Sequence, residues 1–218
     1  MLRLALLLLV AATSALAGPC TATTLEAYKA ADFTCTIGPL TFSAFTSTLS
    51  NAKDLSNTDI TDATIDVTLI NMAAQGKYGL VFSLGTGMAV RGNNGQATGQ
   101  ADIGFSVAGG PISGAAIRLA GTRDGTGTDA TFDATVGTAS LATSAAGTNL
   151  TDSTTFDPTV NSLAVADVAK ATVPGGALQQ SQIQSIENTF IVTPEPATLL
   201  TLIPAFALFA AARRRRSA

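Results

Sequence analysis

Apolar residues alternate with polar ones in five stretches of the chain. The stretches are Leu40-Phe42-Ala44, Ala63-Ile65-Val67-Leu69, Ile103-Phe105-Val107, Phe132-Ala134-Val136 and Ile186-Asn188-Phe190-Val192. A period of two puts one face of a strand in a core and the other in water. Residues 78–84 and 112–120 have strand composition as well, and residues 161–173 read either as a strand or as a short helix. Turn chemistry separates these runs at 51–58, 85–99, 121–127 and 174–176, and at Gly109-Gly110-Pro111. Residues 137–155 are mostly Ala, Thr, Ser and Gly and read as a long loop. Residues 24–31 have helix-forming composition, with Thr23 or Thr24 placed to cap them. The expected fold is mainly β: an antiparallel β-sandwich of about eight strands with a short N-terminal helix.

Two further apolar runs have no such alternation, and they lie at the two ends. Arg3 precedes the uninterrupted run of residues 4–12, and Ala15-Leu16-Ala17 follows it. One cation, a short apolar stretch and small residues at A-x-A describe a secretory signal peptide over residues 1–17. At the other end, Pro194-Glu195-Pro196 is followed by 16 uncharged residues, 197–212, and then by Arg213, Arg214, Arg215 and Arg216. A helix of that length covers about 24 Å, short against a hydrocarbon core of about 30 Å. The four arginines would stay on the cytoplasmic side. Prolines at 194 and 196 hold the chain before the helix extended, which is the shape a protease cleft accepts.

This three-part tail, together with the signal peptide, resembles the sorting signal of PEP-CTERM proteins of Gram-negative bacteria. The residues that carry the likeness are Pro194, Glu195 and Pro196, the apolar helix 197–212 and the arginine cluster 213–216. Cys20, Leu25 and Tyr28, with Cys35-Thr36-Ile37-Gly38 and Leu40-Thr41-Phe42, also look like the start of many such proteins. The resemblance implies an exosortase substrate, handled by the Sec machinery and signal peptidase and held in the inner membrane by a C-terminal transmembrane helix. Cutting near Pro-Glu-Pro would then send it to the cell surface or extracellular matrix. The chain divides accordingly into a signal peptide (1–17), an exported domain (18–191) and a sorting signal (192–218).

Charge follows the same division. Fourteen of the 15 acids and seven of the 12 cations lie in residues 18–193, so that part carries −7 although the whole chain carries −3. An acidic exported part argues against nucleic acid as a partner. The chain has no His and no Trp, and its two Cys are Cys20 and Cys35. That excludes His-based triads, His metal ligands and Cys₄ zinc sites. An even Cys count in an exported chain favours one disulfide, Cys20–Cys35.

What remains for chemistry is acidic. Asp54, Asp59, Asp62 and Asp66 form one cluster; Asp124 and Asp129, with Asp133 beyond, form a second around a Gly/Thr loop. Asp124 and Asp129 are calcium candidates, since Ca²⁺ takes oxygen ligands, but neither stretch has the EF-hand pattern. A glycosidase would need two facing carboxylates, and no pair stands out. Gly85 and Gly87 lack the rest of a dinucleotide fingerprint. The pattern therefore points to a non-enzymatic structural or adhesive protein without cofactors. The alternative is a module that binds carbohydrate, such as exopolysaccharide, or calcium.

Overall fold

The computed structural model describes residues 17–92, 97–124, 128–145, 150–174 and 179–193. The signal peptide apart from Ala17, Pro194-Glu195-Pro196, the helix 197–212 and Arg213 to Arg216 lie outside them. The described residues are mainly β, as expected, with a single short α-helix among them. The strands are β1 (Gly18–Pro19), β2 (Thr23–Thr24), β3 (Thr34–Ile37), β4 (Leu40–Ser50), β5 (Ile65–Met72) and β6 (Lys77–Arg91). They continue with β7 (Ala97–Asp124), β8 (Asp129–Val136), β9 (Ala139–Ser144), β10 (Thr151–Val173) and β11 (Gln180–Val192). Helix α1 is Leu25–Tyr28, shorter than the composition of 24–31 suggests. Thr24 sits at its N-cap, but its side chain makes no capping hydrogen bond. No helix among the described residues is long and apolar enough to cross a membrane.

All eleven described strands belong to one hydrogen-bonded sheet, in the order β1-β3-β4-β7-β11-β6-β5-β2, with β10, β8 and β9 branching from β7. This differs from two separate sheets with about eight strands. The sheet curls on itself into a half-barrel. The long strand β7 shows how. Phe190 on β11 pairs with Ala115, ten positions beyond Phe105 on β7. Ten extended residues cover about 33 Å, yet the rings of Phe105 and Phe190 lie 6.3 Å apart, edge to face. Strand β7 therefore doubles over, and its two halves face each other. The first half pairs with β4 and the second with β11, while β10 follows β7 through the bend with shifts of register between Thr155 and Ser162. Strands that pass from one layer to the next through bends are a known way to build such corners.

The corner is Gly109-Gly110-Pro111, which composition alone marks as a turn but which lies inside β7. Gly109 has φ +95° and Gly110 φ +63°. Both are in the left-handed region that residues with a Cβ avoid, so the two glycines let the strand bend without ending.

Other stretches correct the reading of composition in the same direction. Residues 161–173 are strand, the second part of β10. Residues 137–155, expected as a loop, contain β9 and the start of β10. Strand β9 pairs with β8, and its Leu141 and Thr143 are buried. Ala44 was expected on the inner face with Leu40 and Phe42. Instead the chain bulges there, Ala44 takes φ +55°, and Phe45 supplies the next inward ring.

The core lies between the two facing halves. Phe42, Phe45, Phe82, Phe105 and Phe190 meet at its centre, with Phe105 touching the other four. Burying an aromatic ring of this size contributes about 1.5–3 kcal/mol, so this cluster binds the layers together.

Candidate functional site

Helix α1 is tied down from both sides. Cys20 and Cys35 form a disulfide across a 15-residue separation, with both residues buried. The sequence expectation of that bond is met. Tyr28 packs on Phe33 and Phe45 at 4.7 and 5.0 Å between ring centroids. Its hydroxyl donates to the Thr21 carbonyl at 2.8 Å, and burial pushes its ionisation up to about 12.

This anchoring leaves a cleft of about 370 Å³ between the segment after α1 and the bulge of β4. Lys29, Asp32, Phe33, Ser43, Ala44 and Phe45 line it. Asp32 has φ +59° and Ala44 φ +55°, so two non-glycine residues in the left-handed region shape opposite walls. Such conformations cost of order 1–3 kcal/mol each and persist because the disulfide and the aromatic packing hold their neighbours. Beside the cleft, Lys29 Nζ donates to Ser47 Oγ at 2.7 Å and pairs with Asp62. Ser47 Oγ donates to Asp62 Oδ1 at 2.6 Å. In a serine–lysine nucleophile the serine proton is directed at the lysine amine, which accepts it as the general base. Here Lys29 is the donor to Ser47, so the triad is a cross-link between α1, β4 and the turn at Asp62. Its members are 15 to 33 residues apart, a spacing with no sequence signature, and sequence reading did not connect them.

The first acidic cluster does not converge on a site. Asp54 accepts from the backbone N–H groups of Ser56 and Thr58, both at 2.8 Å, and from Thr86 Oγ1. These bonds, that from Thr58 first, hold its carboxyl below the usual range. Asp59 pairs with Lys53 at 3.5 Å, Asp62 with Lys29, and Asp66 is exposed on β5. In the second cluster Asp124 is exposed at the end of β7, and Asp129 starts β8. Asp129 Oδ1 accepts from Ser144 Oγ at 2.6 Å, and its carbonyl accepts from Ser181 Oγ at 2.5 Å. Asp133 is exposed on β8. Among the described residues no three acids or thiols stand close enough to hold a metal ion. Residues 125–127, between Asp124 and Asp129, are outside that set.

One acid is in the core. Asp167 on β10 is fully buried, and burial pushes its carboxyl up to about 8 against the opposing effect of a hydrogen bond from Asn188. Asn188 Nδ2 on β11 donates to Asp167 Oδ2 at 2.6 Å. Asn188 falls in one of the alternating runs read from the sequence. Asp167 falls in the segment whose period was ambiguous, so nothing there marked the pair.

No family model matches the chain, and no curated protein matches it. Among solved structures, that of TmCBM61 in complex with β-1,4-galactotriose is similar at 10% identity. The match covers 67% of this chain and 88% of that one, with a TM-score of 0.29.

Proposed function

We propose that this chain is an exported, non-catalytic β module with a structural or adhesive role in the cell envelope or extracellular matrix. The observation that carries the reading is the buried Cys20–Cys35 disulfide, which closes the start of the domain and belongs to oxidising compartments. Export through a signal peptide over residues 1–17 agrees with it. So does an exosortase-type tail of Pro194-Glu195-Pro196, an apolar helix and Arg213 to Arg216. The polar side chains around α1 and in the Asp54 loop are consumed in structural hydrogen bonds, which supports a role without catalysis.

The test is fractionation of the native host with an epitope inside the exported domain. Replacing Pro194-Glu195-Pro196 with three alanines leaves an uncleaved, membrane-retained form. If this variant and the wild type distribute alike between membrane and medium, the exosortase reading fails. Mass spectrometry of the mature protein then gives the two processed ends and the state of Cys20 and Cys35.

The cleft favours a second reading, carbohydrate binding. Sugar sites combine an aromatic face with a few polar groups, and Phe33 lies in this cleft between Lys29, Asp32 and Ser43. Titration with oligosaccharides released from the host exopolysaccharide tests it. Saturable binding lost in Phe33→Ala supports the reading, and heat-free titration with both proteins removes it.

A further inference from the structure

Asp167 occupies the middle of an inward row on β10 that is otherwise apolar: Leu163, Val165, Ala169, Ala171 and Val173. Asn188 interrupts the row Ile186, Phe190 and Val192 on β11. The two residues come from the two facing halves of the sheet. Asp167 pairs with Ile103 and Asn188 with Ile117, fourteen positions apart on β7, or about 46 Å if the strand ran straight.

Among the described residues, no cation faces the pair. Asp167 lies between Ile103 on β7 and Ala134 on β8, and Asn188 between Ile117 on β7 and Leu80 on β6. The acids nearest in register, Asp102 and Asp133, both pair with Val168 and share its outward side. Lys170 on β10 is exposed, and Arg118 and Glu187 pair with each other on the outer side of β7 and β11. The other ionisable side chains of the described core are Tyr78 on β6, paired with Phe190, and Tyr28, whose hydroxyl is bonded to Thr21.

Two buried oxygens lack a partner in this pair, Asp167 Oδ1 and Asn188 Oδ1. With Asp167 ionised both are acceptors, and neither can satisfy the other. An unpaired carboxylate in such a site is far more costly than the neutral acid. A proton on Asp167 Oδ1 changes the accounting, because one O–H to O bond then satisfies both atoms. We propose that Asp167 and Asn188 form a reciprocal acid–amide pair, with Asp167 Oδ1 donating its proton to Asn188 Oδ1, which locks the two halves of the sheet in register and is released when the proton is lost. The device makes the fold respond to alkaline surroundings from inside the core. It is independent of what the exported domain binds.

Asp167→Asn is the informative change. An Asn at this position donates from its amide where the acid donates its proton, so the variant keeps both bonds at every pH. Thermal and urea unfolding of the exported domain in its oxidised form, from about pH 4 to about pH 9, is expected to separate the two proteins. The wild type loses stability as pH rises, approaching a tenfold fall in the folding constant per pH unit for the one proton involved. Asp167→Asn lacks that slope. A wild-type profile parallel to that of Asp167→Asn overturns the proposal. Infrared spectroscopy of the wild type at neutral pH is the second measurement, and it stands if the variant fails to fold. A carbonyl stretch of a protonated carboxyl group is expected, and its absence overturns the proposal as well.

Discussion

Gly109 passes so close to Pro39 that a Cβ on it would stand 2.5 Å from the Pro39 carbonyl oxygen. The contact joins the corner of β7 to the turn before β4, where the sheet doubles over. Two separate costs thus meet at Gly109→Ala, the left-handed φ and the clash with backbone. The first alone is about 1–2 kcal/mol. Urea unfolding is expected to show a loss of at least that size, while Gly18→Ala, with open space around it, leaves the midpoint unchanged.

Phe105 is the ring against which β4, β6 and β11 all pack. Phe105→Ala removes contacts to Phe42, Phe45, Phe82 and Phe190 together. The expected loss is about 3–5 kcal/mol. Phe105→Leu, which keeps most of the volume, loses less than half as much in the same experiment.

The Cys20–Cys35 bond closes a loop of 15 residues. In the chain-entropy account a loop of this size contributes about 3 kcal/mol. Unfolding with and without a reductant measures it. Cys20→Ala together with Cys35→Ala should reproduce the reduced protein, and a double variant as stable as the oxidised wild type would count against the bond as a support.

Two acids bend the pH profile in opposite directions. The Asp54 carboxyl is held below its ordinary range by the Thr58 and Ser56 backbone N–H groups. Its contribution is present above the unfolded carboxyl value of about 4 and is lost as pH falls through the lower folded value. Asp167, raised to about 8, acts the other way. Its contribution is complete below about pH 4 and drains away as pH rises toward 8, because the unfolded chain ionises while the folded one keeps its proton. Maximum stability is therefore expected in weakly acidic solution. Asp54→Ala should flatten only the acid limb, read by melting temperature against pH.

Asp129 already accepts from Ser144 at 2.6 Å, and its carbonyl from Ser181. Millimolar calcium is accordingly expected to leave the melting temperature unchanged. A rise that disappears in Asp124→Asn or Asp129→Asn would restore these two residues as ligands.

The β character, most strands and the disulfide were legible before any coordinates, because each depends on local chemistry. Alternation at 103–107 and 132–136 reports which side of a strand is dry, and the chain's two Cys have only each other. Residues 137–155 were not legible. Ala and Gly are weak strand formers in isolation, and here they are strand because β9 pairs with β8 and the start of β10 pairs with β7. Ala44 misled for a related reason: alternation counts positions, and a bulge inserts one.

The features at the two ends that resemble addressing signals are linear, read from order and charge alone. The facing of Asp167 and Asn188 is of another kind. Nothing links positions 167 and 188 in one dimension. They meet because β7 bends at Gly109-Gly110 and carries its neighbours β10 and β11 to opposite sides of one core, where a low dielectric turns an ordinary acid into a proton donor. The same holds for Lys29, Ser47 and Asp62, and for the cleft beside them. Composition sets which groups are available, and the doubling of one sheet sets which of them touch.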